Sequence, residues 1–278
     1  MKNFLTTTLI ISAEAKGLLK SSGLASFQDF MDYSGGKHIC HKRGRSTVRL
    51  QIGDRAFYLK RNRFHFVEFL KGLSRLRLPP RGALQEWRNI ERVQQADIAT
   101  VPPIAFGEQP LLGLETCSFS MTEELYGCVP LDQVLRANFT GSQTGIQRLR
   151  KHHLIRQVGI LARQLHGAGL FHRDFYLSHV FVSTKDTLKL IDLQRILYHP
   201  LRARHFRIKD LAQLNYSASR IPGITRSDRL RFLLAYLDRS SLLEEDKQLV
   251  RSVQRKTDRI ARHDVKLLAR RRRRGELP

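Results

Sequence analysis

One segment constrains this chain more than any other: Leu170-Phe171-His172-Arg173-Asp174-Phe175-Tyr176-Leu177-Ser178-His179-Val180-Phe181-Val182. It follows a run in which Leu154, Val158, Leu161 and Leu165 recur at spacings of four, three and four, the mark of one buried helix face. That helix is expected to end near Gly167-Ala168-Gly169. Val180-Phe181-Val182 and Leu188-Lys189-Leu190-Ile191 then read as short apolar strands, the second ending at Asp192. A helix, a loop carrying an acid, a strand and an acidic strand end leave few local architectures open. Asp174 on the loop is free to accept a hydroxyl proton. Asp192 is placed to hold Mg²⁺ on phosphates, and residue 179 is placed to complete the metal shell.

This is the order of a protein-kinase catalytic loop and its metal aspartate. A lone His-Arg-Asp is a weak signal, but distant parts agree with it. Thr47 to Ile52 alternates, with Val48, Leu50 and Ile52 on one face. Gly53-Asp54-Arg55 is a turn, and Ala56 to Lys60 a second strand. Lys60 ends that strand, where a phosphate-gripping lysine belongs. Glu86 opens the next helix, Leu84 to Gln95, where its ion-pair partner belongs, with Trp87, Ile90 and Val93 facing inward. Val101-Pro102-Pro103 breaks that helix. Thr122-Glu123-Glu124-Leu125 closes a strand where an interlobe hinge belongs, with Glu123 and Leu125 as cofactor-binding positions. Asp210 is placed to brace the catalytic loop, and His172 to support it. Each has a plain alternative: Lys60 as an edge-strand solubiliser, Glu86 as a first-turn helix acid, Asp210 as a helix charge. The alternatives weaken because the parts occur together and in order.

The layout is α+β in two lobes. Residues 1–36 form an N-terminal lead-in, 37–125 a β-rich lobe, 126–269 a mainly helical lobe and 270–278 a basic tail. Leu230, Leu233, Leu234 and Leu237 form one stripe of a late helix, and Ser241 with Glu244 resembles a capping box opening another.

With these residues in place the sequence resembles the bacterial lipopolysaccharide-core kinases, which have a protein-kinase-like bilobal fold. It resembles the inner-core heptose kinases most and the Kdo kinases next. The likeness is carried by Phe171 to His179, by Leu190-Ile191-Asp192-Leu193-Gln194-Arg195, by Glu86-Trp87-Arg88 and by Leu76-Arg77-Leu78-Pro79. Val101 to Glu108 and Met121 to Leu125 also match, so the resemblance spans about residues 38–215. It implies ATP- and Mg²⁺-dependent phosphorylation of a sugar hydroxyl on the lipopolysaccharide inner core, at the cytoplasmic face of the inner membrane. Asp174 would be the catalytic base, with Arg173 steadying its loop. Lys60 would contact the ATP phosphates, Glu86 would orient it, and Asp192 and His179 would hold the metal.

Departures from protein kinases bear on this reading. In place of a G-x-G-x-x-G loop stands His41-Lys42-Arg43-Gly44-Arg45-Ser46, where Gly44 permits a tight turn over the phosphates and the basic residues add charge. Position 179 is His, not Asn; a neutral imidazole still ligates a metal but favours softer ions. Asp192-Leu193-Gln194 replaces Asp-Phe-Gly and no Ala-Pro-Glu follows, which argues against a phosphorylation-switched protein kinase.

Net charge adds a partner. With 49 Lys and Arg against 25 Asp and Glu, the chain carries +24 and calls for an acidic surface. Arg270 to Arg274, and the cluster Lys60, Arg61, Arg63, Lys71, Arg75, Arg77 and Arg81, suit docking on anionic glycolipid as a peripheral protein. The alternative is a solvated tail. No nucleic-acid fold signature accompanies the charge, so no nucleic-acid partner is expected. Cys40, Cys117 and Cys128 form no CxxC pair and read as reduced thiols. Met1 to Ala15 has an apolar run broken by Thr6, Thr7 and Thr8, a poor signal peptide. The rival readings are a nucleic-acid-binding module, a pseudokinase scaffold, and a kinase of this fold with another small-molecule or protein acceptor.

Overall fold

The computed structural model describes residues 7–42, 44–63, 83–111 and 114–275. Leu76 to Pro79, Arg43, and the charges Lys71, Arg75, Arg77 and Arg81 lie outside the described residues. The chain forms two compact units, each treated by itself: one of residues up to Arg92 plus Thr100–Tyr126, the other of Val93–Ala99 plus Gly127 onward.

The first unit contains β1 (Thr8–Ile11), α1 (Lys16–Ser21), α2 (Phe27–Asp32), β2 (Lys37–Lys42), β3 (Arg45–Ile52), β4 (Arg55–Arg63), α3 (Ala83–Gln95, whose end crosses into the second unit), β5 (Pro103–Leu111) and β6 (Leu114–Glu123). The six strands make one antiparallel sheet in the order β1-β5-β6-β4-β3-β2. Gly53, at φ +60°, opens the two-residue turn that puts Ile52 opposite Arg55 and so sets the β3–β4 register. β4 runs on past Lys60 to Arg63, which leaves Lys60 inside a central strand, opposite Thr47 on one side and Ser120 on the other.

Strand alternation gives this sheet two unlike faces. Leu50, Ile52, Phe57, Leu59, Phe119 and Met121 point to one side and are buried against Ala15, Leu19, Leu24, Phe30 and Met31. The Phe30 and Phe119 rings stack at 4.3 Å. Residues 7–36 are therefore no separate lead-in. β1 is an edge strand on β5, and α1 and α2 supply half of an apolar core. Arg61 adds hydrogen bonds from Nη1 to the carbonyls of Met31 and Tyr33. The other face carries Lys60, Ser118, Ser120 and Thr122, the last three buried. Glu86, Asn89, Ile90 and Val93 of α3 are also buried, whereas Trp87 is only half-buried.

The second unit contains β7 (Val129–Pro130), α4 (Leu131–Phe139), α5 (Gly145–Gly167), β8 (Leu170–Phe171), β9 (Val180–Val182), β10 (Leu188–Leu190), β11 (Leu197–Tyr198), α6 (Ala203–Ser219), α7 (Arg226–Leu237) and α8 (Glu244–Arg273). Small sheets β10-β9-β7 and β11-β8 flank residues 172–179. Thr144 and Gln147 close a capping box on α5, and Leu154, Val158, Leu161 and Leu165 are buried on it. Gly159 lets α7 approach: a Cβ there would lie 2.6 Å from the Phe232 carbonyl oxygen.

Two local expectations are corrected. The α8 N-terminus is not capped by Ser241. Asp246 instead accepts from the Leu243 N–H at 2.8 Å, because the helix starts at Glu244 and its third residue is the acid within reach. Nor do Arg270 to Arg273 form a separate tail. They continue α8, and every residue from Val265 to Gly275 is exposed. The α7 stripe is only partly covered, with Leu230 exposed and Leu233, Leu234 and Leu237 half-buried.

Candidate active site

In the first unit, opposite side chains of a strand and a helix meet. Lys60 Nζ donates to Glu86 Oε1 at 2.6 Å, and Ser120 Oγ donates to Glu86 Oε2 at 2.8 Å. The Glu86 side chain is 3% exposed and the Lys60 side chain 32%. A carboxylate this buried needs both partners, since an ion stripped of water is costly unless charge and hydrogen bonds replace the water. The lysine side chain is far less buried than its partner.

The end of β6 is held by side-chain pairs and by backbone hydrogen bonds. Arg55 grips Glu123 through Nε and Nη2 at 2.6 and 2.9 Å, and Arg49 grips Glu124 at 2.9 and 2.6 Å. Tyr58 donates to Glu124 at 2.8 Å. The Arg49 guanidinium holds the Glu124 carboxyl below the usual carboxylate range. The N–H of Glu123 donates to the Pro102 carbonyl and that of Glu124 to the Ala56 carbonyl. Leu125 follows, buried. Gly44, at φ +76°, turns β2 into β3, and its carbonyl accepts from the Arg63 N–H at 2.8 Å. Gly44, Glu123 and Leu125 stand apart from the Lys60–Glu86 pair, with no hydrogen bond to it among the described residues.

In the second unit, α6 braces the loop through its backbone. Asp210 is fully buried and accepts from the N–H of His172 at 2.7 Å and of Arg173 at 2.8 Å. One turn on, Gln213 accepts from the Phe175 N–H and donates to the Arg173 carbonyl. A further turn on, Ser217 accepts from the Leu177 N–H at 3.1 Å. Lys209 also donates to the Arg173 carbonyl. These bonds hold Arg173 at φ +69°, a left-handed conformation that costs a non-glycine residue about 1–2 kcal/mol. Such strain persists only where the surroundings over-determine it.

His172 is buried, and burial pushes its imidazole below the ordinary histidine range. It is therefore neutral, with Nε2–H donating to the Ile191 carbonyl at 2.9 Å and so tying the loop to the strand end before Asp192. His179 Nδ1 lies 2.7 Å from the Asp174 carbonyl oxygen. A carbonyl only accepts, so Nδ1 carries a proton, and in the neutral tautomer Nε2 keeps a lone pair. That lone pair faces Asp192, itself at φ +57°, with Nε2 4.0 Å from Oδ2. The gap is too long for a hydrogen bond and wide enough for an ion. An imidazole nitrogen and a carboxylate are chemically fit to share a divalent cation. Among the described residues no group of three or more His, Cys, Asp and Glu gathers as a metal site, so phosphate and water oxygens would complete the shell. The Asp174 carboxylate itself is held by Arg195, whose Nη1 donates to Oδ1 and Oδ2 at 2.8 and 2.6 Å.

Thus Lys60 meets Glu86 in one unit, while His172, Arg173, Asp174, His179, Asp192 and Asp210 gather in the other. Sequence reasoning missed Gln213, Ser217, Lys209 and Arg195. Asp210, Gln213 and Ser217 had a readable signal: polar residues spaced three and four apart on a helix whose Leu211, Ala212 and Leu214 are buried. Arg195 stood inside a quoted motif without a role.

A strand lysine paired to a helix glutamate, and a helix-braced loop offering one acid beside a histidine–aspartate pair, belong together in phosphotransferases of protein-kinase-like fold. The comparisons with known proteins narrow the class. The chain is 33% identical to the lipopolysaccharide core heptose(I) kinase WaaP of Pseudomonas aeruginosa, over 81% of this chain and 86% of that protein. It is 32% identical to WaaP of Escherichia coli K12, over 78% of this chain and 84% of that one. A solved structure, WaaP in complex with acyl carrier protein, is similar at TM-score 0.73 and 28% identity, covering 91% of this chain and 98% of that one. The lipopolysaccharide kinase (Kdo/WaaP) family model matches residues 40–236, and the chain belongs to that family. It is accordingly a kinase that uses ATP.

Proposed function

We propose that the chain transfers the γ-phosphoryl group of ATP to a heptose hydroxyl of the lipopolysaccharide inner core, with Mg²⁺ as the ion. The observation that carries this is 30–33% identity to three heptose(I) kinases over 78–81% of the chain. In the proposed step the acceptor oxygen attacks the γ-phosphorus in line with the bond to the β-phosphate oxygen. The new P–O bond forms as the old one breaks, ADP leaves, and the hydroxyl proton passes to Asp174. Lys60, oriented by Glu86, grips the ATP phosphates. Asp192 and His179 Nε2 hold the metal, which supplies charge neutralisation on the phosphates. Arg173 fixes the loop, Asp210 and His172 brace it, Glu123 and Leu125 contact the adenine side, and Gly44 lets the hairpin turn over the phosphates.

The acceptor sits in a membrane leaflet, so peripheral attachment at the cytoplasmic face of the inner membrane is part of the proposal. Among the described residues no helix is long and apolar enough to cross a membrane. The exposed end of α8, with Val265, Leu267, Leu268 and Arg270 to Arg273, suits an anionic surface, at about 1 kcal/mol per basic residue. Equal flotation of full-length and 265–278-deleted protein on anionic vesicles would remove this part.

A second partner is supported by the relative solved with an acyl carrier protein. The helical unit has an apolar cavity of about 590 Å³ lined by Leu131, Leu135, Leu154, Val158, Leu214 and Leu233 among others. Its size is that of sites for small apolar ligands, and we read it as a place for the acyl chain such a partner carries.

Mass spectrometry of lipopolysaccharide core from cells with and without the protein tests the main reading. A phosphate lost from heptose is expected. A phosphate lost from Kdo alone, or none lost, overturns the heptose assignment.

A further inference from the structure

Asp174 and Arg195 form a pair whose geometry differs from the two-donor arginine–carboxylate forks elsewhere in this protein. Arg195 ends the short turn Leu193–Arg195, three residues after Asp192. The strand that follows, β11, pairs with β8 just before the loop, Leu197 opposite Phe171. That pairing anchors the turn beside the loop. From there a single guanidinium nitrogen, Nη1, serves both oxygens of Asp174.

Arg49, Arg55 and Arg150 do the opposite. Each turns its Nε/Nη2 edge to a carboxylate, the parallel two-donor fork that makes such pairs strong and specific. Arg195 uses one corner only. Among the described residues its Nε and Nη2 meet no acceptor. The side chain is 52% exposed, against 20% for Asp174. The fork is therefore held in place by the base and left open to incoming molecules. Between Asp174 and His179 the loop carries no other cation, only Phe175, Tyr176, Leu177 and Ser178, and Arg173 before it keeps its Nε buried. Lys209 is half-buried and committed to the Arg173 carbonyl.

We propose that Arg195 reads an oxyanion on the acceptor: its Nη1 corner holds Asp174 while its Nε/Nη2 edge binds a carboxylate or phosphate near the hydroxyl to be phosphorylated. The proposal rests on the reading of Asp174 as the base. It assigns the acceptor to the anionic glycans and makes Arg195 a specificity-determining residue. The oxyanion is either the carboxylate of an acidic sugar or a phosphate already on the glycan. The shared chemistry is a planar or tetrahedral oxyanion that fits a guanidinium fork. Because the fork is fixed to the base, docking the oxyanion also sets the distance from the hydroxyl to Asp174. Water and neutral sugars lack the group, so they reach the base without that anchor.

The test uses the full-length protein with saturating Mg-ATP and lipopolysaccharide core from cells lacking this kinase. The core is offered untreated, after carboxyl reduction, and after phosphatase treatment. Acceptor KM and kcat are measured for wild type, R195K and R195A, with thermal unfolding of each as a check on folding. For wild type, one of the two treatments is expected to raise acceptor KM about 10- to 100-fold, the range of a charge-assisted bidentate contact. The effective treatment identifies the oxyanion. R195A is expected to raise KM on untreated core by a similar factor and then to be indifferent to that treatment. R195K should fall between, because a lysine keeps the charge and loses the fork. KM for ATP should not change. A wild-type KM that neither treatment moves, or an R195A variant that keeps the wild-type preference, overturns the proposal and leaves the kinase reading standing. Transfer by wild type to none of the three forms overturns the reading of lipopolysaccharide core as the acceptor, and this proposal with it.

Discussion

The two units hold Glu86 and Asp174 by opposite means. In the strand unit, Glu86 is held by side chains alone, an ammonium and a hydroxyl on neighbouring strands. In the helical unit, Asp174 sits on a loop whose backbone is bonded turn by turn to α6, through Asp210, Gln213 and Ser217. A side-chain pair can be exchanged or dissected one atom at a time. A backbone brace cannot, because losing one acceptor frees peptide groups that also set the φ and ψ of the reactive residue. Substitutions in the first unit should therefore separate stability from activity, and substitutions in the brace should lower both together.

The sharpest departure from this pattern is expected at Asp174 itself, whose backbone the brace positions and whose carboxylate, among the described residues, holds only the half-exposed Arg195. Asp174→Asn should lower kcat about 10³-fold or more, because base and nucleophile position are lost together. Its unfolding free energy should stay near that of wild type. Near-normal phosphoryl transfer by this variant would refute the assignment of the base.

Asp210→Ala is the next largest. It strips the acceptor from two N–H groups at a fully buried position, each costing about 1–3 kcal/mol when left unpaired. Denaturant unfolding should show a loss of about 3 kcal/mol, and kcat should fall about 100-fold in the same variant. A stable but inactive Asp210→Ala protein, or an active but unstable one, would break the coupling claimed for the brace.

The strand unit should behave otherwise. Lys60→Met leaves Glu86 buried with only Ser120, and should cost about 2–3 kcal/mol, less than a fully buried pair because Lys60 is partly exposed. The double variant Lys60→Met with Glu86→Gln should recover most of that stability. It should recover none of the activity if Lys60 grips the ATP phosphates as proposed, since that charge is still missing. Recovery of both in the double variant would place Lys60 outside the ATP site.

The contrast also explains what was legible beforehand. Lys60, Glu86, Asp174, Asp192 and Asp210 were readable because each is a charged residue at a fixed place in an order of elements. Alternation around Val48, Leu50 and Ile52 gave the sheet for the same reason. The packing of α1 and α2 onto the sheet was not readable, because Leu19, Phe30 and Met31 meet Phe119 only through a long-range fold. Ser241 fits the pattern of a cap, a hydroxyl three residues before a glutamate. Asp246 fits the actual start of the helix better by being an acid at its third position. Arg195 was invisible for a different reason. An arginine after a motif has no periodicity to mark it, and its meaning lies in which of its nitrogens is used.

The smallest expected effect concerns pH, and it belongs to the helical unit. His172 is neutral in the fold because burial lowers its proton affinity below the ordinary value of about 6.5. The unfolded chain binds that proton near pH 6.5 and the folded chain does not, so below this pH the unfolded state holds more protons and stability rises with pH. The contribution is fully present above pH 6.5 and is lost as pH falls toward the depressed folded value. In that window the slope from this one group approaches about 1.4 kcal/mol per pH unit. His172→Gln keeps a donor for the Ile191 carbonyl and removes the titration. Its unfolding free energy should fall less steeply than that of wild type between pH 6.5 and 5. His152 is also lowered by partial burial, so a shallow residual slope is expected in the variant. Parallel curves for the two proteins would show that the loop-to-strand tie does not depend on a neutral imidazole, and that the brace from α6 holds the loop without it.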